Sequence, residues 1–217
     1  MNILKVENVS FSYDNEKYVL KDINMEFEPN KTYGVFGKSG AGKTTLLSLI
    51  AGLETTKQGT IYFKDIDISK INRDQYRSND IGVIFQSFNL LPHLTAVENI
   101  ILSMDISNKK VGNQIQNAYQ LLKKVGLDVN KANRKILQLS GGEQQRVAIA
   151  RALSYDSDII LADEPTGNLD HETEEDIINL LISLAKEDNK CVIIISHSNS
   201  VKQKVDVVYH LVNGKLK

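Results

Sequence analysis

Residues 37–44 read GKSGAGKT, set between TYGVF at 32–36 and TLLSLIAGL at 45–53. The apolar run before the glycines predicts a strand, and the pattern after them predicts a short helix ending near Gly52. Gly37, Gly40 and Gly42 let the backbone wrap tightly, so that successive amide N–H groups point inward toward phosphate oxygens at a helix amino terminus. Lys43 then places a positive charge at the β- and γ-phosphates, and the Thr44 hydroxyl is positioned for Mg²⁺.

The flanking sequence supplies the rest of an α/β fold. Ile3, Val6, Val9 and Phe11, then Ile23, Met25 and Phe27, recur at mostly alternating spacing and predict strands, with a turn around Pro29. GTIYFKDIDI at 59–68 reads as an edge hairpin, and IGVIFQ at 81–86 as a compact buried strand. From Leu91 to Leu153 the pattern turns helical: Thr95 and Glu98 make a T-x-x-E capping signature, and Ile115, Ala118, Leu122 and Val125 share one face of a further helix. DIILADEP at 158–165 returns to a buried strand, residues 170–188 form an acid-started amphipathic helix, and CVIIISHS at 191–198 is another apolar strand. The tail at 206–217 is a hairpin turning at Asn213 and Gly214. The expectation is one three-layer α/β domain over 1–217, with a core at 1–90 and 154–217 and a helical insert at 91–153.

Composition bounds the function. At 217 residues, 41% hydrophobic, the chain is long enough for one well-buried core. Lysine plus arginine total 26 against 27 acidic residues, so no global positive field is available for nucleic acid, and none is expected as a partner. The single cysteine, Cys191, lies in an apolar run and reads as a buried small hydrophobe, a pattern that suits the cytosol. MNILKVENVS lacks the basic and apolar regions of a secretion signal, and no stretch approaches the roughly 18 consecutive apolar residues of a membrane span.

Four side chains converge on the expected ligand edge of the sheet. Asp163 ends the strand IILA, where an open α/β sheet places ligands, and its carboxylate suits a metal. Glu164 beside it can orient and polarise a water attacking the γ-phosphate, although DE can also simply cap the next turn. His197 and Gln86 end neighbouring strands; each has a bland reading as an ordinary polar terminus, while Gln86 could reach metal or water. LSGGEQQR at 139–146 poses a separate question. Ser140 and Glu143 have capping-box spacing, but Gly141 and Gly142 weaken a helix start unless something must approach the backbone closely. A helix amino terminus with bare backbone and a serine hydroxyl is a second anion site, spare within this chain.

Taken in order, these motifs resemble the nucleotide-binding domain of ATP-binding cassette (ABC) transporters over essentially the whole chain: GKSGAGKT resembles the Walker A loop, ILADEP the Walker B strand, LSGGEQQR the family signature, Phe85–Gln86 the Q-loop, Asn168–Asp170 the D-loop and SHS the switch histidine. The resemblance implies a P-loop NTPase of the ABC ATPase type, with a mixed-sheet core, an antiparallel β subdomain and an inserted helical subdomain. It implies ATP and Mg²⁺ as ligands, with residues Gly37, Lys38, Ser39, Gly40, Ala41, Gly42, Lys43, Thr44 and Thr45 on the nucleotide and Tyr13 stacked on adenine. Thr44, Gln86 and Asp163 are implied metal contacts, and Glu164, His197 and Gln86 the catalytic group, with His197 sensing γ-phosphate. Two copies are implied to dimerise head to tail on ATP, so that Ser140, Gly141 and Gly142 meet the γ-phosphate of the other copy and Asp170 couples the two sites. A separate integral membrane permease is the implied partner, inserting a coupling helix near residues 85–100 and holding the chain on the cytoplasmic face of the membrane. Within the family the motifs are most similar to ATPases of lipoprotein release, macrolide efflux and antimicrobial-peptide export.

Two positions depart from that subfamily: Lys38 stands where proline is frequent, and Ser198 follows His197 where aspartate is usual. The alternatives are a soluble cassette ATPase acting on ribosomes or DNA, or a non-hydrolytic scaffold of a cell-envelope complex. Relatives of the first kind generally carry two cassettes or long coiled-coil insertions, and this chain has neither. The second can lose its base or signature serine, whereas Glu164, Ser140 and His197 are all present.

Overall fold

The structure, a computed structural model, describes residues 1–14, 17–107, 109 and 112–217. Its alternating amino-terminal segments form β1 (Leu4–Phe11), β2 (Leu20–Phe27), β4 (Gln58–Phe63) and β5 (Ile66–Asp67), an antiparallel sheet in the order β2-β1-β4-β5. Val6 stands at its centre, opposite Met25 on one side and Ile61 on the other.

The apolar runs build a second sheet from β3 (Thr32–Phe36), β6 (Ile81–Ile84), β7 (Ile159–Asp163), β8 (Cys191–Ser196), β9 (Val207–Val212) and β10 (Lys215–Leu216). Its order is β10-β9-β3-β8-β7-β6, parallel except for the β9–β10 hairpin. That hairpin turns at Asn213 and Gly214, both with positive φ. β3, β6, β7 and β8 read as continuous apolar runs because both faces are covered. Cys191, Ile193 and Ile195 of β8 pack with the antiparallel sheet and α1 (Lys43–Ile50), while Val192 and Ile194 pack on the other side with the helices.

A turn of helix at Arg73–Gln75, named α2, runs into a wider π-helical turn at Tyr76–Asp80. It buries Tyr76, whose hydroxyl donates to Ile50 O at 3.0 Å. The middle of the chain holds α3 (Ala96–Ile106), α4 (Gln114–Lys124) and α5 (Gly141–Leu153). The Thr95 and Ser140 capping boxes both form, each pairing its hydroxyl and backbone with a glutamate three residues on. Ala118, Leu122 and Val125 are fully buried, but Ile115 is 60% exposed, so the buried stripe begins one turn later than the spacing suggests. After β7 comes α6 (His171–Glu187), and after β8 a short helix, α7 (Asn199–Lys204), which the polar sequence NSVKQK does not announce. Among the described residues no helix is long and apolar enough to cross a membrane.

Candidate functional site: a cleft at the strand ends

The loop between β3 and α1 closes on itself. Lys43 Nζ donates to Gly37 O at 2.8 Å and to Lys38 O at 3.3 Å, which centres the ammonium in the loop. Gly42, the residue before α1, has φ 103°, and a Cβ there would sit 2.9 Å from Leu20 Cδ2, so only glycine suits the turn. The cleft over this loop has a volume of about 560 Å³. It is lined by Gly37, Lys38, Ser39, Gly40, Gly42, Lys43, Thr44 and Thr45, with Val19 on one wall and Gln86, Asp163, Glu164 and His197 on the other. Ala41 is absent from that lining: its side chain is buried in the core and its N–H donates to Lys38 O. Tyr13 lies beside the cleft, half-exposed, with its ring edge-on to Phe11 and its hydroxyl 3.3 Å from Thr45 Oγ1.

The acidic wall is held by parallel strand pairing. Asp163 ends β7, and burial raises its carboxyl above the ordinary range; the Glu164 charge adds to this, while Lys43 and the Thr44 hydroxyl pull it down. Glu164 adopts φ 45°, a left-handed conformation uncommon for a residue with a side chain, and its N–H donates to Ile195 O at 2.9 Å. Its Oε2 lies 2.9 Å from His197 Nδ1. Gln86 is exposed at the end of β6, and its side chain lies against Gly167, where a Cβ would come within 3.1 Å of Nε2. The loop just after it is fastened by Arg151 of α5, which donates to Phe88 O at 2.9 Å and to Asn89 O.

Ser140, Gly141, Gly142 and Asp170 line no part of this cleft; Gly142 and Asp170 meet instead at Thr173, and Gly141 lies beside Leu169. Asp170 caps α6, accepting from Thr173 N at 3.0 Å and Thr173 Oγ1 at 2.8 Å, and those donors hold its carboxyl below the usual range. The methyl of the same threonine fills the space beside Gly142, where a Cβ would fall 2.4 Å from Thr173 Cγ2. The bare backbone at Gly142 therefore has a reason inside the chain, which LSGGEQQR alone does not disclose. Glu143 pairs with Lys131, which holds its carboxyl low and ties the start of α5 to the turn at 129–131.

A larger cleft, of about 680 Å³, opens on the opposite side near the strand beginnings. Its Lys124 and Lys190 are already paired with Asp188 and Asp156, and it contains none of the motif residues, so the smaller cleft is the better candidate.

The ABC transporter family profile matches residues 20–167. The chain is 41% identical over 215 residues to the uncharacterized ABC transporter ATP-binding protein YclH of Bacillus subtilis (strain 168), covering 99% of this chain and 95% of that protein. It is 39% identical over 221 residues to the lipoprotein-releasing system ATP-binding protein LolD of Francisella tularensis, with the same coverage. The dimeric structure of the cassette MJ0796, a Methanocaldococcus jannaschii protein, superposes with a TM-score of 0.90 at 37% identity over 99% of this chain and 96% of that one. A further dimeric structure of MJ0796, in a post-hydrolysis state bound to ADP and Pi, superposes at 0.89 and 36% identity over the same shares. With its whole length matched in sequence and in fold, the chain belongs to the ABC transporter family and has the architecture of an ABC ATPase cassette.

Proposed function

We propose that the chain hydrolyses ATP to ADP and phosphate in a head-to-tail dimer, and that closing and reopening of this dimer drives a separate membrane permease. One observation carries the reading: Lys43, Thr44, Asp163, Glu164 and His197 line one cleft, while Ser140, Gly141 and Gly142 stand apart from it at the start of α5. A second copy turned head to tail would bring that helix start, with its hydroxyl and bare backbone, over the γ-phosphate held by the first. MJ0796, similar to this chain over nearly its full length, is a dimer in both of its structures.

In the closed dimer, the loop amides at 37–44 and Lys43 hold the phosphates, Tyr13 stacks on the base, and Thr45 continues the cradle into α1. Glu164 polarises the attacking water and takes up its proton as the water oxygen bonds to the γ-phosphorus and the bond to the ADP oxygen breaks. His197, in contact with Glu164, faces the same phosphate, and Asp170 relays closure between the two sites. The donor set suits Mg²⁺: the Asp163 carboxylate and Thr44 hydroxyl, with Gln86 across the cleft, are oxygen donors too few for an all-protein cage, leaving positions for phosphate and water. When bound, the ion would neutralise charge on the phosphate oxygens.

The cargo is proposed to be a lipoprotein, peptide or antimicrobial moved out of or extracted from the membrane, with the chain held on its inner face by the permease. Likeness to the Francisella protein named for lipoprotein release supports that class. The test is Glu164→Gln: this protein should bind ATP and accumulate as a dimer in size-exclusion chromatography while phosphate release nearly ceases. Full hydrolysis by a strictly monomeric preparation, insensitive to Ser140→Ala, would overturn the dimeric reading.

A further inference from the structure

Two loops meet at the Glu164–His197 contact, and a third element ties both. Thr166 lies two residues beyond Glu164, buried, in a turn that Gly167 N closes on Glu164 O at 3.1 Å. Ser198 follows His197. From the first turn of α6, Glu174 Oε1 accepts from Ser198 Oγ at 2.7 Å and from Thr166 Oγ1 at 3.4 Å. Glu174 is itself fixed along the helix, its N–H donating to Asp170 O at 2.8 Å.

The hydrogen-bond directions in this cluster are determined. A carboxylate only accepts, so the Ser198 hydroxyl proton points to Glu174 and leaves its lone pairs for Ser200 N, which donates to it at 3.2 Å. Ser198 N in turn donates to the buried Ser196 Oγ at 3.0 Å. Every polar group of Ser198 toward this cluster is thereby used, and the residue directly after His197 is held from three directions. The pairing also accounts for serine where the family usually has aspartate: with 2.7 Å between the two oxygens, an aspartate at 198 would set carboxylate against carboxylate.

We propose that Glu174 is a positioning residue for hydrolysis, setting the separation of the loops that carry Glu164 and His197. It lines no part of the cleft; it acts by fixing Thr166 and Ser198, and through them the 2.9 Å contact. The inference rests on the catalytic role assigned above to Glu164.

The experiment uses the full chain, four single variants (Glu174→Ala, Glu174→Gln, Ser198→Ala and Glu164→Gln) and the double variant of Glu174→Ala with Ser198→Ala. Glu174→Ala is expected to lower kcat for ATP hydrolysis by roughly 10- to 100-fold, the scale of a small misplacement of reacting groups, with ATP affinity and KM unchanged. Glu174→Gln keeps an acceptor oxygen and should restore most of kcat. Ser198→Ala should also lower kcat, and adding it to Glu174→Ala should cost nothing further, because the tie it removes is already gone. A second readout needs no turnover: with four histidines in the chain, the ring resonances of His197 can be followed by NMR, and they should shift in nucleotide-free Glu174→Ala and return in Glu174→Gln. A lower melting temperature with unchanged kcat and unchanged His197 resonances would make Glu174 merely structural and overturn the proposal. If Glu164→Gln is inactive while Glu174→Ala turns over like the parent, only the positioning role fails; if Glu164→Gln itself turns over normally, the catalytic assignment fails and the positioning role falls with it.

Discussion

His197 Nδ1 lies 2.9 Å from Glu164 Oε2, yet the two side chains differ sharply in exposure, at 74% and 15%. The carboxylate is the sheltered partner, held by a left-handed backbone at the end of β7, and the ring reaches over it from solvent. Removing the ring should therefore leave nucleotide binding intact. His197→Ala is expected to lower phosphate release by at least roughly 10²-fold, the scale of losing a positioned group at the reacting centre. Comparable hydrolysis in His197→Ala and the parent, measured at saturating ATP, would remove His197 from the reaction.

Thr173 is shared between Asp170 and Gly142, which makes the start of α5 sensitive to a single methyl. Gly142→Ala would drive Cβ onto Thr173 Cγ2, an overpacking expected to cost about 1–3 kcal/mol in urea unfolding. Thr173→Ser removes that methyl and keeps the hydroxyl that donates to Asp170. The double variant should regain most of the loss, and simple additivity in the cycle would show that the two positions do not touch.

Asp163 gives a pH signature of known sign. Its folded-state pKa is raised, first by burial and then by Glu164, so the folded protein binds this proton more tightly than the unfolded chain does. The residue's contribution is most favourable below the unfolded carboxyl pKa and is lost as pH rises through the folded one. Asp163→Asn should consequently melt higher than the parent at pH 7, by roughly 1–3 °C, with the gap closing as pH is lowered through the carboxylate range. The same variant should lose hydrolysis. Differential scanning calorimetry across pH decides the matter: a variant less stable than the parent at pH 7 would mean that charge burial is not the dominant effect.

Arg151 fastens the segment behind Gln86, where Phe88 and Asn89 are both left-handed at φ 59° and 51°. Two guanidinium nitrogens in one fixed plane each take one of these successive carbonyls, Nη2 that of Phe88 and Nη1 that of Asn89, an arrangement that the shorter lysine with its single nitrogen does not reproduce. Arg151→Lys is expected to cost about 1–3 kcal/mol of stability, the range for a charged hydrogen bond lost at a partly buried site. It should also lower hydrolysis through Gln86. Unchanged stability in denaturant titration would show that the carbonyls find other donors.

Period and punctuation announced most of the architecture. The unbroken runs TYGVF, IILAD and CVIIIS had to be covered on both faces, and they are the central parallel strands. Asn213–Gly214 and the two capping boxes were legible because each is a local device whose partners lie within a few residues. What escaped was long-range. Nothing near Gly142 names Thr173, nothing near Gln86 names Arg151, and Ser198 reads as a bare departure until Glu174 is seen across from it. Ile115 fits the spacing of its helix and still lies in solvent, because periodicity identifies a face without saying how far along the helix the neighbours extend.

The placement of β3 has a consequence for biosynthesis. Both of its ladder neighbours, β8 at 191–196 and β9 at 207–212, are translated long after residues 32–36. While the nascent chain lengthens on the ribosome, this strand and the glycine turn behind it have neither edge satisfied, a state open to pairing with other chains. The cleft over residues 37–44 therefore gains its final walls only after β8 and β9 have been made, which sets its completion near the end of synthesis.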